Sequence, residues 1–82
     1  MSVHFTVYVR HGCHLCEDLL QQMSSLQREY SFAYTPVDVD TELTLRESYG
    51  HLVPIVTLGE QQISHYFLDQ AALLQAVDSI NN

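Results

Sequence analysis

The sequence predicts a small α/β domain, a four-stranded mixed sheet flanked by three helices in the order β-α-β-α-β-β-α. Apolar residues alternate with a period of two over residues 3–9 and then recur at helical spacing after residue 14. Pro54 opens two short strand-like runs separated by Gly59-Glu60-Gln61, which is hairpin spacing. The chain has 82 residues and is 46% hydrophobic, which leaves room for one domain, residues 1–82, with one modest core.

The first strand places Val3, Phe5, Val7 and Val9 on one face and His4, Thr6 and Tyr8 on the other. Its β-branched and aromatic content suits a central position. Arg10-His11-Gly12 forms a loop, and glycine permits the tight turn that delivers Cys13 to a helix start. Leu15, Leu19, Met23, Leu26 and Tyr30 then define one face of an amphipathic helix of roughly four turns. A second strand runs from Phe32 to Val39; Pro36 within it removes a ladder donor, which a sheet tolerates chiefly at its edge. A right-handed crossover makes these two strands parallel.

Asp40-Thr41 offers N-cap chemistry for a short second helix with Leu43, Leu45 and Tyr49 on its apolar face, and Gly50 suits a left-handed C-cap. The third strand is Ile55 to Leu58 and the fourth Gln62 to about Tyr66. Asp69 caps the last helix, whose apolar face is Leu73, Leu74, Val77 and Ile80.

Ten carboxylates stand against Arg10, Arg28 and Arg46, with no lysine and a formal net charge of −7. A nucleic-acid backbone is held by clustered Lys and Arg, so no nucleic-acid partner is expected. The longest apolar stretches fall far short of a membrane span, and no membrane partner is expected either. Met1-Ser2-Val3-His4 lacks the features of a secretory signal, so the expected location is cytoplasmic. There a close cysteine pair is catalytic or metal-binding more often than a structural staple.

That pair lies in Gly12-Cys13-His14-Leu15-Cys16, at the strand-to-helix junction. Unpaired N–H groups and the helix dipole stabilise a thiolate at a helix start, and the thiolate is the nucleophile in disulfide exchange. Cys13 is therefore the expected attacker and Cys16 the resolver. A protonated His14 would favour the Cys13 thiolate; alternatively it is an exposed spacer. Glu17 and Asp18 oppose the thiolate by charge. Three function classes follow. The first is a thiol–disulfide oxidoreductase. The second is a metal-binding module through Cys13, Cys16 and a histidine, although structural zinc wants a further ligand pair and the chain has no other cysteine. The third is a non-catalytic adaptor.

The strand Phe5 to Val9, the run Arg10-His11-Gly12-Cys13-His14-Leu15-Cys16, the segment Tyr49-Gly50-His51-Leu52-Val53-Pro54-Ile55 and the closing hairpin and helix together resemble the thioredoxin superfamily. The chain is most similar to its small glutaredoxin-like bacterial branch. The resemblance covers nearly the whole chain and implies a thioredoxin-like fold and thiol–disulfide oxidoreductase activity. It implies that Pro54 is a cis-proline facing the cysteines and that Val53 offers its backbone N–H and C=O to an extended substrate. Arg10 matches a basic residue that would hold a substrate carboxylate or support the Cys13 thiolate; with His14, Val53 and Pro54 it makes up the substrate side of the site.

The chain departs from members that bind glutathione. It has His14-Leu15 where they have Pro-Tyr and Leu52 where they have threonine. Ser64-His65-Tyr66-Phe67-Leu68-Asp69 stands where they carry Gly-Gly followed by Asp. The expected partners are a disulfide-containing protein or peptide and a cellular dithiol reductant, with glutathione as a candidate reductant, no bound cofactor, and a monomeric state. Intact cysteines and Pro54 argue against an adaptor of thioredoxin-like shape.

Overall fold

The computed structural model describes residues 3–81. Strands β1 (Val3–Val9), β2 (Phe32–Asp38), β3 (Ile55–Leu58) and β4 (Gln61–His65) alternate with helices α1 (His14–Gln27), α2 (Leu43–Tyr49) and α3 (Gln70–Asn81), with a 3-10 turn over Val39–Thr41. The sheet order is β2-β1-β3-β4, so β1 is internal and Pro36 sits on an edge strand, as expected. β1 pairs with β2 in parallel and with β3 antiparallel, and β3–β4 is an antiparallel hairpin.

Alternation along β1 divides the layers. Val3, Phe5 and Val7 point into one cluster with Leu19, Met23 and Leu26 of α1, Val56 of β3, and Leu73 and Val77 of α3. Phe5 is fully buried and meets Phe32 edge-on at 5.6 Å. The opposite face carries Tyr8, which stacks on Tyr49 of α2 at 4.5 Å and an interplanar angle of 19°. Thus α1 and α3 share one side of the sheet and α2 meets the other. Among the described residues, no helix is long and apolar enough to cross a membrane.

Several local expectations are corrected by packing. The buried stripe of α1 is Cys16, Leu19, Met23 and Leu26, whereas Leu15 is 36% exposed and Tyr30 40%. Cys16 occupies the core position one residue beyond Leu15, and Tyr30 lies past the end of the helix. β2 stops at Asp38, whose carboxylate accepts from the Asp40 N–H at 2.9 Å and caps the 3-10 turn. α2 starts without a side-chain cap, at Glu42, and buries no residue fully.

Gly50 is right-handed, with φ −56, not the left-handed C-cap its residue type suggested. Crowding explains its identity: a Cβ there would lie 2.5 Å from the Arg46 carbonyl oxygen. β4 runs one residue earlier than the alternation indicated, because the turn is only Gly59-Glu60 and Leu58 already pairs with Gln61; further along, a register shift between Val56 and Thr57 leaves Ile63 without an opposite residue. Asp69 caps α3 as expected, accepting from the Ala72 N–H at 3.0 Å.

Burial separates two leucines of the same size. Leu73→Ala opens space in the shared cluster and is expected to cost about 2–5 kcal/mol. Leu43→Ala, at a side chain 59% exposed, is expected to change stability by no more than about 0.5 kcal/mol. Urea denaturation of the two variants checks the contrast.

Candidate functional site

Sheet register brings the important loops to one edge. At the end of β1, Val9 lies beside Asp38 and Tyr8 beside Ile55, while Ile55 lies beside His65. The Arg10–Gly12 loop, the 3-10 turn, the Val53–Pro54 segment and the exit from β4 therefore all leave the sheet at the same end. This is where open α/β sheets place their sites, at the carboxyl end of the first strand.

Gly12, with φ +75, turns the chain out of β1 and hands it to Cys13 in extended geometry. Cys13 is the N-cap of α1, and its Sγ accepts the Cys16 N–H at 3.0 Å. A sulfur thus takes the position usually filled by a serine or aspartate oxygen, next to helix N–H groups that have no carbonyl of their own. Cys13 and Cys16 are joined as a disulfide, with Cα atoms 5.2 Å apart. Cys13 is half-buried, whereas Cys16 is only 2% exposed. One sulfur is accessible and the other belongs to the core.

The Arg10 guanidinium donates from Nε to Asp40 Oδ2 at 3.0 Å and from Nη2 to Asp40 Oδ1 at 3.2 Å. Its Nη1 donates to the Gly50 carbonyl at 3.3 Å. The side chain therefore ties the end of β1 to the 3-10 turn and to the exit of α2. The His14 side chain is 97% exposed, with Nδ1 3.9 Å from Glu17 Oε2, which is the geometry of a surface spacer. The Val53–Pro54 peptide bond is cis. Pro54 is buried and Val53 half-buried, and Val53 makes no backbone hydrogen bond among the described residues.

In sequence Tyr66 is legible as the end of a strand and as part of the run that replaces Gly-Gly-Asp, not as a residue bonded to the Pro54 segment. It lies just beyond β4 at φ +64, the one non-glycine residue with positive φ among those described. Its N–H donates to the Pro54 carbonyl at 2.8 Å and its hydroxyl to the His51 carbonyl at 2.9 Å. The Phe67 N–H donates to the His65 carbonyl at 2.7 Å, closing a three-residue turn around Tyr66. Asp40, expected to cap α2, is instead the partner of Arg10. No local pattern signals either contact, because each joins segments distant in sequence. Among the described residues, no group of three or more His, Cys, Asp or Glu side chains is placed to hold a metal ion.

The sequence matches the family described as glutaredoxin-like domain (DUF836) over residues 4–78. Among solved structures, protein Ne2328 from Nitrosomonas europaea is 29% identical, with a TM-score of 0.83 over 94% of this chain and 93% of that one. The X. campestris protein XcR50 is 24% identical, with a TM-score of 0.72 over 92% of this chain and 96% of that one, a likeness of fold. A malarial protein shares the fold at 17% identity and a TM-score of 0.65, over 96% of this chain and 97% of that one. No curated protein matches the chain.

The Arg10–Asp40 pair is partly exposed, at 43% and 36%. A double-mutant cycle with Arg10→Gln and Asp40→Asn is expected to give a coupling of about 0.2–1 kcal/mol. The coupling should shrink as salt is added, because exposed charges are screened. Denaturation curves of the four proteins at two ionic strengths check both points.

Proposed function

Because the chain belongs to the glutaredoxin-like domain family and folds as a thioredoxin-like four-stranded sheet with three helices, we propose that it is a thiol–disulfide oxidoreductase. The observation that supports this most directly is the Cys13–Cys16 disulfide on the first turn of α1, with Cys13 at the cap and Cys16 buried. In the reduced protein the Cys13 thiolate attacks a substrate disulfide. A Cys13–substrate bond forms, the substrate S–S bond breaks, and the leaving sulfur takes a proton. The Cys16 thiol then loses its proton and attacks the Cys13 sulfur, which releases the second substrate sulfur. Two electrons pass to the substrate and the protein is left with its internal disulfide. A cellular dithiol reductant restores the thiols.

The remaining residues position the partner. Val53 pairs its free backbone groups with an extended chain beside the disulfide, and Pro54 fixes the direction in which Val53 is presented. Arg10 acts through Asp40 and Gly50, holding the cysteine loop and the Val53–Pro54 segment in one frame. His14 is a solvent-facing member of the contact surface. The protein works without a bound cofactor, as a cytoplasmic monomer, on protein or peptide disulfides. Glutathione is a weaker substrate, because the run Ser64-His65-Tyr66-Phe67-Leu68-Asp69, with its large side chains, stands where glutathione-binding members carry Gly-Gly followed by Asp.

Burial gives the two thiols different reactivity. After reduction, Cys13 is expected to alkylate at least about tenfold faster than Cys16 near neutral pH, read by mass spectrometry of timed iodoacetamide reactions. Equal rates would remove Cys13 as the nucleophile. Cys16→Ser should accumulate a mixed disulfide on Cys13, and Cys13→Ser should abolish turnover. Steady-state kinetics should also favour a peptide disulfide over a glutathione-mixed disulfide at matched pH; the reverse preference would place glutathione recognition back in this site.

A further inference from the structure

We propose that Tyr66 and Phe67 form the specificity surface of this site and that it receives an extended, positively charged polypeptide segment flanking the target disulfide. This rests on the oxidoreductase reading and names the substrate class for it.

The first observation is backbone strain. Positive φ is sterically unfavourable for a residue with a side chain, and a bulky aromatic there is an outlier. Tyr66 nevertheless takes φ +64, held by hydrogen bonds to the carbonyls of Pro54 and His51 on both sides of Val53. The corner is thus fixed to the segment that presents the free backbone of Val53. Strain of this kind collects at sites where geometry serves binding.

The second observation is what the corner displays. Phe67 is 71% exposed, the most exposed large hydrophobic side chain among the described residues; Tyr66 is 38% exposed and Leu15, between the cysteines, 36%. All three belong to segments at the disulfide edge of the sheet. An exposed aromatic beside a free backbone donor and acceptor fits strand-like recognition, in which main-chain bonds give register and a side-chain contact gives selectivity.

Charge selects the occupant. Arg10, in the loops at this edge, is neutralised by Asp40, which leaves Arg46 in the last turn of α2 as the one other arginine near it, against several carboxylates. Arg28 caps the far end of α1. Glu17 and Asp18 project from the first turns of α1, Asp69 begins α3, and the whole chain carries a formal net charge of −7. A cationic segment is drawn to such an edge, whereas the net negative charge of glutathione is repelled.

The test compares two peptide disulfides of the same sequence, each with an apolar residue near the cysteine and flanked by either lysine or glutamate. Hydroxyethyl disulfide serves as a small neutral control. The lysine peptide is expected to show a kcat/KM about tenfold above the glutamate peptide at low salt, with the gap closing as salt rises. Phe67→Ala should lower kcat/KM for the lysine peptide about fivefold, mostly through KM, and leave hydroxyethyl disulfide turnover unchanged. Equal use of the two peptides, an equal effect of Phe67→Ala on all substrates, or loss of a dimer on Phe67→Ala in sedimentation would overturn the proposal while leaving the oxidoreductase reading intact. Failure to turn over hydroxyethyl disulfide would overturn that reading, and this proposal with it.

Discussion

The bonding of β1 on both sides is the constraint on which the disulfide edge depends. Its parallel ladder with β2 and antiparallel ladder with β3 fix the strand along its length. Cys13 lies only a short loop beyond its end, and Ile55, following Pro54, is bonded directly to Tyr8. The cysteine loop and the Val53–Pro54 segment are thus positioned from one rigid reference. Because Phe5 and Val7 are buried in the shared cluster, the same strand also anchors α1, whose first turn carries both cysteines. Core packing and site geometry rest on a single element.

α2 is held differently. It buries no residue fully, and it meets the sheet through the stacking of Tyr49 on Tyr8. The Gly50 carbonyl adds one bond from Arg10, and the crowding at Gly50 against Arg46 keeps the helix exit close. A few directional contacts replace a hydrophobic face. The segment that presents Val53 is therefore coupled to the cysteine loop through Arg10, with little help from apolar burial.

Much of this was legible in the sequence where the deciding physics is local. Alternation gave β1 because its side chains must divide between two layers. Pro36 indicated an edge because it lacks a donor, and Asp69 marked the start of α3 because its carboxylate reaches N–H groups three residues on. The spacing of Cys13 and Cys16 placed the cysteine pair on one helical turn. The resemblance supplied the cis geometry at Pro54, which the local chemistry did not. Contacts made by folding were not legible. Arg10 meets Asp40 and Gly50 across separations of 30 and 40 residues. Gly50 was misread because a glycine required by crowding looks the same in sequence as one required by handedness. The start of β4 was misplaced because Gln61 is as compatible with a turn as with a strand, and only its pairing with Leu58 assigns it to the strand.

The two outer strands bear on how the sheet meets other chains. β2 carries Pro36, which cannot donate to a neighbour, and β4 is interrupted at Ile63, where the ladder with β3 loses a step. Exposed strand edges are templates for polymerisation, and both of these features are among those that blunt them. Under the oxidoreductase function proposed above, the partners are disulfide-bearing chains, and unfolded segments of such chains seek strand pairing. With its lateral edges interrupted in this way, the sheet offers such chains a poor template for strand addition along its sides.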